Sequence, residues 1–480
     1  MYRRGQEIFR FQCFSHAISE SSRSSVCDYC LKSKEDDKCS LMRCSGKCSK
    51  ISYFILKMML NFGLFFLGCK VVYYCEKQGC QKNAWLTYHR EECAYLRKVA
   101  PNVPTHTVRL MARIILKLRN VEGRRQFDEL PDWPEGQNQR YFDDLLSHQK
   151  EIVRDPERIE AFHAFYVILQ KCLGEKLPPK SDVLDIYGRI LINSFDITCN
   201  GYQSVGVGLY LGASVLDHSC DPNAVAVFKG REIIIRTTSQ IEAPEDVRIS
   251  YTDVLDSTEK RRKNLAKQYY FDCTCPRCQD EESDCFKSSL ICQSCQIGSV
   301  PAISGLCSKC NTPIEPSILQ EHSKIKAELK LATKEPNEDL EHLENLFRKA
   351  AAIFHHRDKD YYDFLEHFYD VKIANEAYRD CLDLLRIILA NQHDNDSPYS
   401  INKALTEMKA AKLCSYLNFL DEADVHLSKA KDNLRVTHGD IHPLASRDWR
   451  RLRQDIDMGR RELKDMSLLL NSKKMWAKSG

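Results

Sequence analysis

The chain has 480 residues, a formal net charge of +3, and 43% hydrophobic and 29% charged residues. That length exceeds one compact core and predicts two to four domains, while so small a net charge excludes a global field for nucleic acid or acidic lipid. Its 23 cysteines sit mostly in close CxC or CxxC pairs, and "MYRRGQEIFRFQCF" has no apolar signal region. The reading is an intracellular chain whose thiols bind metal rather than pair as disulfides.

In chain order, residues 27–93 hold the first cluster: Cys27-x2-Cys30, Cys44, then Cys69-x5-Cys75-x4-Cys80-x8-His89-x3-Cys93. Eight ligands suffice for two tetrahedral zinc ions, and interleaving makes a cross-brace. Cys27, Cys30, Cys75 and Cys80 are assigned to one ion. Cys44, Cys69, His89 and Cys93 are assigned to the other. A segment at 47–68 interrupts the finger; residues 51–68 are almost all apolar, with Lys57 the one charge. A membrane span is rejected, because it would set Cys44 and Cys69 on opposite sides of a core ~30 Å thick. Without 47–68 the chain would read "MRCSGCKVVYYC", so the segment is read as translated intron or an atypical insertion.

Residues 103–200 read as helical, since "TVRLMARIILKL" and "ERIEAFHAFYVILQKCL" space their apolar residues by three and four. Residues 201–278 mix short strands with a second cluster. "VAVFKGREIIIRTT" predicts strand, turn and strand, and before it "SVLDHSCDPNAV" packs polar chemistry between apolar runs. Cys273, Cys275 and Cys278 in "YYFDCTCPRC" give three thiolates, and Cys220 is the predicted fourth. After the polar linker "CQDEESDCFKSS", Cys292-x2-Cys295-x11-Cys307-x2-Cys310 has zinc-ribbon spacing. From 315 on, amphipathic segments such as "HLENLFRKAAAIF" and "YRDCLDLLRIILANQ" predict helices. "ALTEMKAAKLCSYLNFLDEADVHLSKAKDNL" has the small-residue spacing of a tetratricopeptide-like pair.

The run "YYCEKQGCQKNAWLTYHREEC" resembles the MYND zinc finger, with two spacers each one residue longer than usual. With "NSFDI", "DHSCDPN", "RISYTD" and "CTCPRC" in that order, the chain resembles the SET-and-MYND family of protein lysine methyltransferases. The resemblance implies an α+β fold. Residues 1–26 would start the SET region, 27–93 form the finger, 94–200 a helical insert and 201–256 the core SET. Residues 257–284 would be a zinc-bearing post-SET segment, 290–312 a ribbon-like module and 315–480 a tetratricopeptide-like helical domain.

The implied activity is methyl transfer from S-adenosylmethionine to lysine ε-amines of histone or non-histone proteins. The resemblance makes Tyr251 the catalytic tyrosine, with Phe195 and Tyr269 lining the lysine channel. Asn193, Ser214, Leu216, His218, Phe271 and His148 match cofactor-contacting positions. Two departures stand out: Asp217 occupies a place usually taken by Asn, and "RRGQEIFRF" aligns past the family's glycine-rich cofactor loop, so weak cofactor binding is expected of the chain as given. The family also implies cytoplasmic and nuclear localisation, and proline-rich peptide partners for the finger. Neither membrane nor nucleic-acid binding is expected; "KVVYYC" and "YHREEC" carry too few basic residues for a phosphate track. The competing reading is a non-catalytic adaptor working through the finger and the helical tail.

Overall fold

The structure is a computed structural model. It describes residues 1–34, 39–45, 68–76, 79–199, 203–334 and 339–476. Residues 47–67, which carry nearly all of the insertion reading, and Cys48 within them lie outside the described residues. Among those described, no helix is long and apolar enough to cross a membrane.

Two small sheets form the centre. β1 (Glu7–Gln12) pairs antiparallel with β11 (Glu232–Thr237), which pairs with β10 (Ala224–Lys229). β10 and β11 are joined by Gly230 and Arg231. Gly230 stands at φ +60, as the first position of a tight primed hairpin turn requires. A Cβ there would lie 2.9 Å from the Cys30 carbonyl, so the turn and the finger touch. In the second sheet, β2 (Ser15–Ile18) and β7 (Ser194–Cys199) flank β8 (Gln203–Leu209). Phe9, Ile18, Ile197, Leu216, Ile235 and Ile249 are buried in one cluster between these strands. β9 (Asp217–His218) pairs in parallel with β12 (Arg248–Ile249). This short pairing sets "DHSC" beside the segment leading to Tyr251.

In the finger, β3 (Leu41–Arg43) pairs with β4 (Tyr73–Cys75). A helical run follows, Cys80–Ala84, Trp85–His89 and then α1 (Arg90–Val99). α2 (His106–Leu118) packs against β2 and starts under a cap in which the Thr105 side chain accepts from the Val108 amide. Sequence periodicity predicts one wet face, yet every residue from Val108 to Leu116 is buried. Arg109 and Arg113 lie inside because Asp28 and Glu92 meet them there. α3 (Pro156–Leu173) begins with Asp155 as cap and Pro156 in its first turn. α4 (Lys180–Asn193) leads into β7.

The helical reading of 103–200 therefore stops at Asn193: the last residues of the predicted insert, Ser194–Cys199, are a strand. The same stretch also carries a hairpin of β5 (Phe127–Glu129) and β6 (Gln139–Tyr141). "DITC" in β7 is rich in β-branched residues and pairs along β8, which overrides a short helical pattern.

After α5 (Thr258–Tyr269), the hairpin β13 (Ser289–Ile291) and β14 (Ser299–Pro301) carries the last set of paired cysteines. Seven helices complete the described chain: α6 (Pro316–Ala332), α7 (Leu340–Ala351), α8 (Lys359–Ala374), α9 (Tyr378–Asn395), α10 (Ile401–Tyr416), α11 (Leu420–Thr437) and α12 (Trp449–Trp476). Leu343, Phe364, Leu385, Ala411 and Leu427 share their core. The end of α11 rests on β11, where the Arg236 guanidinium donates to the carbonyls of Val436 and Arg435.

Candidate active site and metal centres

The structure gathers the cysteines as their spacing predicts. Four groups have ligand atoms within 4.8 Å of one another: Cys27, Cys30, Cys75 and Cys80; Cys44, Cys69, His89 and Cys93; Cys220, Cys273, Cys275 and Cys278; Cys292, Cys295, Cys307 and Cys310. Representative separations are 3.4 Å for Cys30–Cys75, 3.5 Å for Cys220–Cys278 and 3.6 Å for Cys292–Cys310. In the second group, His89 Nε2 is 3.2 Å from Cys44 Sγ and 3.7 Å from Cys69 Sγ. Three all-sulfur sets, and one in which an imidazole nitrogen joins three sulfurs, suit a tetrahedral borderline-soft ion such as zinc. Burial by itself would raise the Cys275 thiol, but backbone N–H donors at Cys220 and Cys278 bring it down to about 7.

A cavity of about 590 Å³ lies between the sheets and the helical insert. Asn193, Phe195, Ser214, Tyr251 and Tyr269 line it, beside His106 and Leu110 of α2 and Gln268 of α5. Tyr251 stacks obliquely on Tyr269 with ring centres 4.9 Å apart. Its hydroxyl donates to the Leu216 carbonyl, so Leu216, itself buried, contributes backbone rather than side chain. Burial first, then the nearby charge of Asp217, pushes the Tyr251 phenol up from its ordinary value.

His218 stands behind the tyrosine. Its Nδ1 accepts from the Tyr251 amide at 3.0 Å, so its proton is on Nε2, which faces Cys220 Sγ at 3.2 Å. Burial, then Arg261, lowers this imidazole to about 4, keeping it neutral. Its ring is 5.9 Å from that of Phe271, which in turn packs on Tyr269.

Asn193 closes α4. Its amide donates to the carbonyls of Arg189 at 2.8 Å and Leu146 at 3.1 Å. The group it can offer to the cavity is therefore its carbonyl oxygen, an acceptor. His148, two residues beyond Leu146, sits at φ 48 and lays its ring 5.6 Å from Tyr270. Of the residues predicted for the transfer site, the structure thus brings five to the cavity wall. Leu216, His218 and Phe271 lie behind them, and His148 is not among the lining residues, its ring resting by Tyr270.

A SET domain family profile matches residues 68–252. The histone-lysine N-methyltransferase SMYD3 of Mus musculus is 30% identical over 457 residues, covering 92% of this chain and 90% of that protein. The chain belongs to the SET-and-MYND family of protein lysine methyltransferases. The human SMYD3 enzyme gives the same identity and coverage. The N-lysine methyltransferase SMYD2 of Gallus gallus is 26% identical over 446 residues, 93% of this chain and 91% of that protein.

Four residues of this SET-and-MYND chain escape the sequence reading. Arg140 donates to Ser214 Oγ at 3.1 Å, and Asp128 accepts from the Gly212 amide at 2.8 Å. Both hold the cavity's Ser214 loop from the β5–β6 hairpin, whose short strands carry no periodicity signal. Cys39 Sγ lies 3.0 Å from Cys75 Sγ, a fifth thiol beside the first cluster that fits no CxxC pair. Glu92 accepts from His89 Nδ1 at 2.8 Å. Its place three residues after a predicted ligand is the one signal that could have marked it, because metal-bound imidazoles regularly lean on a carboxylate.

Proposed function

We propose that the chain methylates lysine ε-amines of proteins, histone or non-histone, at the cavity closed by Tyr251. The observation that carries this is the aromatic cage itself: Phe195, Tyr251 and Tyr269 face a cavity whose other wall presents the Asn193 carbonyl and the Ser214 loop. An acceptor oxygen beside a polar loop fits the ammonium end of S-adenosylmethionine. Asn193, Ser214 and the Leu216 backbone would hold it, with Phe271 and His148 as contacts beyond the wall. When bound, it supplies a methyl group on a sulfonium, which leaves as a neutral thioether.

The chain's own residues then have two tasks. The aromatic walls strip water from the lysine, favouring its neutral form, the one with a lone pair to attack. Tyr251, held protonated and already donating to Leu216, accepts from the amine and aims that lone pair along the line of transfer. With the cofactor bound, these residues would keep the amine in line for transfer, and the product ammonium would release its proton to solvent outside the channel. A second cavity of about 270 Å³ shares Phe195 and Ser250 with the first and reaches Tyr399 and Asn402 of the helical domain. Asp253 and Asp396 line it and suit a basic peptide.

We infer further that each of the four cysteine-rich groups binds one zinc ion. An adaptor would need the finger and the helices but not the cage, and the relatives' names favour the enzyme. The test is transfer of labelled methyl from S-adenosylmethionine to a lysine-rich protein. Tyr251→Phe is expected to lower kcat by about 10²–10³-fold, with the cofactor's affinity unchanged. Normal cofactor binding without any transfer by the parent chain would restore the adaptor reading.

A further inference from the structure

We infer that the hairpin of α10 and α11 holds a fifth metal site, formed by Cys414, Glu422 and His426, with zinc as the ion its donors suit. It is separate from the cavity and from the four cysteine-rich groups, and the total zinc count rests on the zinc inferred for those groups.

The three donors come from two helices. Cys414 lies in the last turn of α10, and Glu422 and His426 stand one turn apart on α11, so both point to the same side. The Cys414 sulfur, a Glu422 oxygen and a ring nitrogen of His426 all lie within 4.8 Å of one another. His426 Nδ1 donates to Glu407 Oε2 at 2.5 Å, which fixes the tautomer and leaves the Nε2 lone pair facing Glu422. Nε2 stands 3.7 Å from Glu422 Oε1. That is long for a good hydrogen bond and leaves the Nε2 edge of the ring open toward Glu422. A nitrogen and an oxygen on one tetrahedral zinc stand roughly 3.3–3.5 Å apart, so a small inward shift of the Glu422 carboxylate would seat both on one ion.

The same arrangement occurs elsewhere in this chain. In the finger, His89 Nε2 is 3.7 Å from Cys69 Sγ, while its Nδ1 leans on Glu92 at 2.8 Å. Thiol, imidazole and an orienting carboxylate recur here with Glu407 in the place of Glu92. Arg386 of α9 donates to both Glu422 oxygens, at 2.8 and 3.0 Å, and also pairs with the exposed Asp383, so a metal would share Glu422 with the guanidinium. A divalent ion, the Cys414 thiolate, Glu407, Glu422 and Arg386 together sum to zero charge, so the ion can be held without a buried excess. Binding releases the one proton of the Cys414 thiol. Three protein ligands leave the fourth position to water.

The test counts metal. Full-length protein saturated with zinc chloride and then freed of loose ions by gel filtration is measured for zinc per chain. Five equivalents are expected for the parent, four in the clusters already described and one here. Cys414→Ser and Glu422→Gln should each lose one equivalent while keeping the helical circular dichroism. Glu422 is one-third exposed, so its variant is safe for folding even if the buried Cys414→Ser is not. Glu407→Gln, which only positions the imidazole, should weaken zinc retention by about 10- to 100-fold. A zinc count unchanged from the parent in both Cys414→Ser and Glu422→Gln would overturn the assignment, whatever the parent's total.

Discussion

The Glu92 carboxylate meets Arg109, Arg113 and His89 with almost no water in reach. Burial alone would raise this carboxyl, but the two guanidiniums and the imidazole together hold it well below the usual range. A depressed folded pKa means stability that is present above the unfolded value of about 4.3 and lost as pH falls below it. Thermal melts at stepped pH should therefore show the parent weakening steeply below about pH 4. Glu92→Gln should be less stable by about 3–5 kcal/mol at neutral pH, since it leaves two arginines underpaired, and its acid dependence should be shallower. Tyr251 behaves oppositely. Its raised phenol stays protonated through neutral and mildly basic pH, so turnover should climb with pH toward the substrate amine's value of about 10 with no plateau from the tyrosine. A rate plateau near neutrality would show a titrating group in that role. At this scale the sulfurs were legible because thiolate spacing is nearly a code for zinc. The two arginines were not, because a polar stripe that meets buried carboxylates looks in sequence like one that meets water.

Among elements, β9 carries more than its two residues suggest. It joins Cys220 of the third cluster to the Tyr251 backbone through one histidine. Removing the zinc ion proposed for that cluster should therefore lower methyl transfer before the protein unfolds. Cys220→Ser is expected to lose one zinc and reduce kcat by about tenfold or more, with the KM for cofactor moving less. Equal loss of both parameters would indicate general collapse of the region instead. The grouping of the cysteines could be read along the chain, and so could the strand, turn and strand around Gly230. The β5–β6 hairpin and the switch from α4 to β7 could not. Three-residue strands leave no period to detect, and β7 is set by its pairing with β8 rather than by its own residues.

For the whole molecule, the helical domain meets the sheets through carbonyl contacts near Arg236, through Lys359 paired with Asp253 and through Arg4 over the Tyr399 ring. Arg236 reaches the carbonyls of Gly5, Arg435 and Val436, and His442 Nε2 donates to the Phe228 carbonyl at 2.9 Å. Gly439, at φ +75, stands where a Cβ would come within 2.8 Å of the Arg236 guanidinium. Arg236→Ala should cost about 1–3 kcal/mol and open this seam. Limited proteolysis would show it as new cleavage between residues 435 and 442, and cleavage unchanged from the parent would mean the anchor is redundant. The helical nature of 315–480 was plain from amphipathic spacing. How it docks was not, because many of the contacts end on backbone carbonyls, which every residue has, and the ion pair joins residues about a hundred positions apart.

The pairing of β1 with β11 sets Gln12 opposite Glu232, which has a consequence for synthesis. A ribosome adding about 5–20 residues per second needs roughly 10–50 seconds to make the partner. Until then Glu7–Gln12, an alternating apolar strand, has no ladder to join. Non-local pairing of this kind delays closure of the sheet and leaves an edge open to other nascent chains. The finger and α2, made in the interval, can fold over the waiting segment through His16 and Ile18, whose carbonyls receive Arg113 and Arg109. The buried charge cluster would then act during translation as a holdfast for strands whose own partners do not yet exist.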